Sequence, residues 1–188
     1  MTNYLGLDIS TTCTGWSLIT LDDHQNVSSV KLGYIPMSKI PSTYDKAQKV
    51  LEAFEELNTR TSISRVFIEE NLQAFRPGAS SAKTLVKLAR FNGVVSYVAQ
   101  SVFGVEPEFI NVNHARKVLG IKIQREKVCG ISTKNQVLMW AKDQEVLGNL
   151  EWPKKILKSG PRKGLEIDSE FCYDMADAYV ISRAGFLI

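Results

Sequence analysis

The chain has 188 residues, 44% apolar and 23% charged, with a net charge of +3. That composition suits one domain spanning residues 1–188 with a full core, and it excludes a disordered or low-complexity protein. No apolar run approaches the ~20 residues of a membrane span, and the start "MTNYLGLD" is not a secretory leader, so a cytoplasmic protein is expected.

The first third reads as strands. "NYLGLDIS" is a short, mostly buried run, "TGWSLITL" follows a polar turn, and "VSSVKLGYI" follows the hairpin connection "DDHQN". "PSTYDKAQKVLEAFEELNTR" then carries Tyr44, Ala47, Val50, Leu51, Phe54 and Leu57 at helical spacing, with Pro41 and Ser42 marking its start. "ISRVFIEE" is a β-branched and aromatic strand closed by the loop "NLQAFRPG", and a long helix runs over residues 79–103. "EFINV" is a short strand, after which Asn113 is expected to cap the helix "HARKVLG". "STKNQVLMWAKDQ" is a further helix capped by Ser132 or Thr133, residues 148–166 read as a basic loop rich in Gly and Pro, and "SEFCYDMADAYVISRAGF" closes as a helix. The order predicts an α/β fold: three antiparallel strands, then strands added in parallel through helical crossovers, about five in all and flanked by helices.

Asp8 stands alone in the apolar first strand. An isolated ionised carboxylate in a low-dielectric interior protonates, pairs with a cation or binds a metal. Glu69 and Glu70 end the strand "RVFIEE", and Asp174 and Asp177, three apart, share a helix face that continues through Ala178 and Ile181 and so points inward. Taken one at a time, these acids suit a turn, a solvated loop and a solvated helix face. Taken together, three elements each deliver acid from apolar surroundings. If they converge, their mutual repulsion is relieved by divalent cations, and an all-oxygen ligand set suits Mg²⁺ or Mn²⁺. Two such ions support phosphoryl transfer without a catalytic histidine. Zinc is not expected, because Cys13, Cys129, Cys172, His24 and His114 make no zinc spacing; the cysteines read as free, buried thiols.

Basic residues cluster as well. Lys83, Lys87 and Arg90 form one stripe of the long helix, "KIQREK" adds Lys122, Arg125 and Lys127, and "PKKILKSGPRKG" adds Lys154, Lys155, Lys158, Arg162 and Lys163. Such clusters hold phosphates by charge and carry little sequence information. In the loop after Glu70, which also carries Arg76, Phe75 either folds back onto the core or stacks on an unpaired base at a branch point.

The ordered set "LGLDISTTCTGWSLI", "VFIEEN" and "YDMADAYVISRAG" resembles the RuvC-type Holliday junction resolvases of the RNase H-like superfamily, over almost the whole chain. The resemblance implies an RNase H-like nuclease domain holding two Mg²⁺ ions, with Mn²⁺ able to substitute, on Asp8, Glu69, Asp174 and Asp177. It implies Lys134, in "TKNQV", beside the scissile phosphate, and Glu70 in support of the site without holding metal. It further implies a four-way DNA junction as substrate and a homodimer through helix 79–103, whose apolar Leu85, Leu88, Val95, Val98 and Val102 suit a fully internal helix equally well. Two departures are "ISTTC", where bacterial members carry Pro-Gly, and the long basic stretch 148–166, which is similar to phage or viral resolvases; a phage enzyme would act in its host's cytoplasm. Three readings compete with this one. The first is another RNase H-like nuclease, acting on branched DNA or RNA–DNA hybrids. The second is a non-catalytic junction-binding module. The third is a sugar-kinase or actin-like phosphate loop, which needs a second domain that 188 residues do not house.

Overall fold

The computed structural model describes residues 1–70 and 82–188. Strands β1 (Thr2–Ile9), β2 (Cys13–Leu21) and β3 (Val27–Pro36) form an antiparallel meander. Strand β4 (Arg65–Glu69) pairs in parallel with the other edge of β1, and β5 (Glu108–Ile110) adds in parallel beyond it, giving the order β3-β2-β1-β4-β5. This is the expected mixed sheet, and the Asp8 strand lies at its centre.

Alternation along β1 sorts its side chains between two cores. Leu5, Leu7 and Ile9 face helices α1 (Thr43–Arg60) and α2 (Ala82–Phe103), packing with Val50, Phe54, Phe91 and Val95. The opposite face, which carries Gly6 and Asp8, is covered by α6 (Phe171–Leu187). Helix α6 is apolar nearly all round, as a helix enclosed on every side should be. It packs closely because Gly6 has no side chain: a Cβ there would stand 2.5 Å from Ser182 Cβ and 2.6 Å from the Ala178 carbonyl oxygen. The buried hydroxyls of Ser17 and Ser182 hydrogen-bond at 2.8 Å beside this crossing.

Helices α3 (Val112–Val118), α4 (Glu126–Cys129) and α5 (Thr133–Lys142) lead towards α6, and α3 and α5 pack against it. Ser132 caps α5, its hydroxyl accepting from the Asn135 N–H at 3.3 Å. The cap of α3 is Asn111 and not the expected Asn113. The strand stops at Ile110, which leaves Asn111 extended, so that its side-chain oxygen accepts from the N–H groups of Asn113 (3.1 Å) and His114 (3.2 Å).

The stretch 148–166 is not simply a loop. It contains β6 (Lys154–Ile156), which pairs antiparallel with β7 (Glu166–Asp168) in a separate two-stranded ribbon. The turn "STT" holds its shape without Pro-Gly. The Ser10 hydroxyl accepts from the Cys13 N–H (3.0 Å) and lies 2.7 Å from the Cys13 carbonyl oxygen, while buried Lys46 of α1 donates to the Thr11 carbonyl. Cys13, Cys129 and Cys172 are free; Cys13 and Cys172 are buried and Cys129 is half-buried. Among the described residues, no helix is long and apolar enough to cross a membrane.

Candidate active site

Parallel pairing of β1 with β4 sets Leu7 opposite Ile68, so the next residues along, Asp8 and Glu69, lie side by side at the strand ends. Phe67 packs in the α6-side core, and alternation puts Glu69 on that same face. Asp174 and Asp177 come down from the first two turns of α6. All four carboxylates line one cavity of about 440 Å³, whose wall also includes Glu70, Asn92, Arg116 and Lys134. Asp177 is buried, and Asp8, Glu69 and Asp174 are half-buried.

Crowding acids away from water raises their pKa values, because desolvation and like charge both disfavour ionisation. Burial pushes Asp8 well above the ordinary carboxylate range, and the charges of Glu69, Asp177 and Asp174 push it further. Burial and then the Asp177 charge lift Glu69 to about 7. Burial likewise raises Asp174, against the opposing pull of Cys13 and Lys134, and it raises Asp177 against Arg116 and Lys134. The buried Cys13 thiol, against Asp174, is held protonated by desolvation and by that neighbouring charge.

Two cations answer the four acids. Lys134, in the first turn of α5, lowers the pKa of each of the four. Arg116 of α3 sets its Nη2 3.4 Å from Asp177 Oδ1, and its buried Nε has no hydrogen-bond partner among the described residues. Sequence reasoning passed over Arg116, because "HARK" reads as an ordinary exposed helix. It also passed over Asn92, a buried polar residue of α2 in the cavity wall. Glu70 lies at the rim, where its carboxylate accepts from Asn111 Nδ2 at 3.3 Å.

With all four acids ionised, Arg116 and Lys134 leave two negative charges uncompensated. The donor set is oxygen alone, which fits hard divalent cations. As the side chains stand, no three carboxylate, imidazole or thiol groups among the described residues are gathered tightly enough to enclose an ion.

The basic residues expected to contact nucleic acid divide into groups. Lys83, Lys87 and Arg90 are exposed on α2, and Lys122 and Arg125 are exposed between α3 and α4. Lys158, Arg162 and Lys163 are exposed in the turn between β6 and β7. Lys154 and Lys155 are instead engaged, with Asp168 and Glu170 respectively. Phe75 and Arg76 lie outside the described residues. On α2, Val95 is buried and Val98 and Val102 pack on the core, while Leu85 and Leu88 are half-buried. The large apolar side chains exposed on that helix are Val86, Val94 and Tyr97, beside the half-buried Leu85 and Leu88.

No protein-family model matches the sequence, and no curated protein matches it. Among solved structures, RuvC of Thermus thermophilus in complex with a Holliday junction substrate superposes with a TM-score of 0.62 at 17% identity, covering 99% of this chain and 94% of that one. A second Thermus thermophilus RuvC structure gives a TM-score of 0.58 at 16% identity, covering 98% and 94%. The chain therefore has the RuvC-type, RNase H-like fold.

Proposed function

Starting from that shared fold, we propose that the chain is a structure-selective DNA endonuclease that hydrolyses phosphodiester bonds at four-way junctions, nicking paired strands as a homodimer. The observation that carries this reading is the convergence of Asp8, Glu69, Asp174 and Asp177, from three separate elements, on one cavity. No structural economy explains such a cluster, since each acid raises the cost of its neighbours.

In this reading the four carboxylates hold two Mg²⁺ ions, with Mn²⁺ able to replace them. When bound, the ions supply a nucleophilic water at neutral pH and neutralise charge on the phosphoryl oxygens. The chain's own residues do the rest. Asp8 and Glu69, on rigid strand ends, fix one side of the cavity, and Asp174 and Asp177 close it from the helix. Lys134 and Arg116, which line the same cavity, would face the substrate's phosphate. Glu70 and Asn111 brace the rim. The exposed cations of α2 hold the flanking strands by charge, and Val86, Val94 and Tyr97 of α2 offer the face for the second copy. Phe75 is proposed to stack on a base at the branch point.

A cleavage panel of four-way, three-way, flap and RNA–DNA hybrid substrates with Mg²⁺ tests the reading. Symmetric nicks confined to the four-way junction are expected. Cutting of the hybrid alone would replace the junction assignment with another nuclease, and junction binding without cutting of any substrate would leave a binding module.

A further inference from the structure

The ribbon that replaces the expected loop has two parts of different character. At its root, Asp168 takes Lys154 Nζ and Lys142 Nζ on its two oxygens, each at 2.5 Å, and Lys155 pairs with Glu170. Although burial opposes it, these hydrogen bonds hold the Asp168 carboxyl below its ordinary range. The Ser169 N–H donates to the Pro153 carbonyl at 2.9 Å, which closes the base of the ribbon. Beyond the root, Leu157 N–H donates to Leu165 O (3.0 Å) and Gly164 N–H to Leu157 O (2.8 Å), so the turn is ordered by its own backbone. Gly160 (φ +79°) and Gly164 (φ +88°) take the left-handed conformation that the turn requires.

The sequence 158–164, "KSGPRKG", carries three cations and no acid. Lys158, Arg162 and Lys163 are exposed, and none of them makes an ion pair among the described residues. Ile156 and Leu165, at the neck, are 63% and 54% exposed, so the ribbon stands clear of the body. Its root adjoins Glu170, the N-cap of α6, and Asp174 lies about one helical turn further on. Four or five extended residues at about 3.3 Å each carry the tip ~15 Å from that root. A DNA strand rises about 3.4 Å per phosphate, so such a reach spans roughly four phosphates.

We infer that the ribbon 154–168 is an arm that grips DNA phosphates a few nucleotides from the cut. Lys158, Arg162 and Lys163 make the grip, and Lys154 and Lys155 are fasteners that touch no DNA. The inference rests on the nuclease reading for its ligand and adds which basic residues of one stretch meet that ligand. A small free anion does not account for the arm, because the three cations are all solvent-exposed on the turn of the ribbon.

The test is equilibrium binding of a synthetic DNA four-way junction by the full chain, in EDTA, between 50 and 200 mM salt. Each lost phosphate contact lowers the slope of log K against log salt by roughly 0.9. The triple variant K158A/R162A/K163A is expected to bind with a slope shallower by about 2 to 3. The exchange K155E/E170K, which keeps the fastener and the net charge, is expected to leave the slope unchanged. A triple variant with the wild-type slope, or an exchange variant that loses a full contact, would overturn the arm. Because binding is read without metal, loss of the nuclease reading would show separately, as a wild-type chain that binds the junction but cuts nothing when Mg²⁺ is restored. A wild-type chain that does not bind the junction would overturn both.

Discussion

A methyl group placed on Gly15 would stand 2.1 Å from the carbonyl oxygen of Asp174. Gly15 is also the cross-strand partner of Asp8. Together with Gly6, Gly15 therefore sets the height at which α6 crosses the sheet, and with it the spacing between the acids of the helix and the acid of the central strand. The atoms in the way are backbone, which cannot swing aside as a side-chain tip does.

Gly15→Ala is accordingly expected to destabilise the chain by about 1–3 kcal/mol, the usual range for overpacking a tight interface, and to cut activity more than stability alone explains. Gly93→Ala is the contrast: nothing lies within 4 Å of its Cβ position, and an exposed helix interior gains about 0.5–1 kcal/mol from the change. Urea midpoints together with junction cleavage check both. An unaffected Gly15→Ala enzyme would mean that the helix height does not matter.

Asp8→Asn is expected to retain junction binding and to lose cleavage at least about a hundredfold, the scale set by removing one preorganised electrostatic group. Binding measured in EDTA and single-turnover cleavage in Mg²⁺ separate the two effects. Cleavage at the wild-type rate would refute the metal-holding role of Asp8.

The raised acids give a signed pH dependence. Glu69 is lifted from 4.5 to about 7, so between those values the folded chain keeps a proton that the unfolded chain has released. Stability must therefore fall as pH rises through that window. Without metal, the urea midpoint is expected to be higher at pH 5 than at pH 8, and added Mg²⁺ should recover more at pH 8, where the site is ionised. Equal midpoints in EDTA at the two pH values would contradict the crowding of these acids.

Arg116 offsets part of that crowding, lowering the pKa values of both Glu69 and Asp177. Arg116→Met should therefore destabilise the metal-free chain more at pH 8 than at pH 5. A purely packing role would give the same loss at both. Thermal melts of both proteins at the two pH values distinguish these outcomes.

Tyr97 is 71% exposed on α2, between the exposed Val94 and the exposed Gln100. If that face joins two copies, Tyr97→Arg should yield monomers by sedimentation equilibrium, with paired nicking lost. A dimer of unchanged strength would move the interface elsewhere.

The sheet and the acids were legible for a common reason: strand alternation and helical spacing are local, and Asp8, Glu69, Asp174 and Asp177 each violate a local apolar pattern. Arg116 violates none. Its place in the cavity depends on α3 packing against α6, sixty-one positions away in the chain, and only the assembled structure brings its guanidinium to Asp177. Asn111 and Asn113 are equally good caps on paper, and the choice follows from where β5 stops pairing. The ribbon escaped notice because "KKI" carries no alternating pattern and is held by backbone pairing and by acids fourteen and fifteen positions downstream. In each case the missing information was a partner, and partners of this kind are remote in sequence.

The late place of α6 in the chain has a consequence for synthesis. On the ribosome, the first 150 residues contain the whole five-stranded sheet, yet two of the four acids are still to be made. Until the last helix arrives, one face of that sheet lacks most of its cover and the cavity lacks its third and fourth carboxylates. On the nuclease reading, interrupted translation products would lack half of the acids and would not cut, without any inhibitor to restrain them.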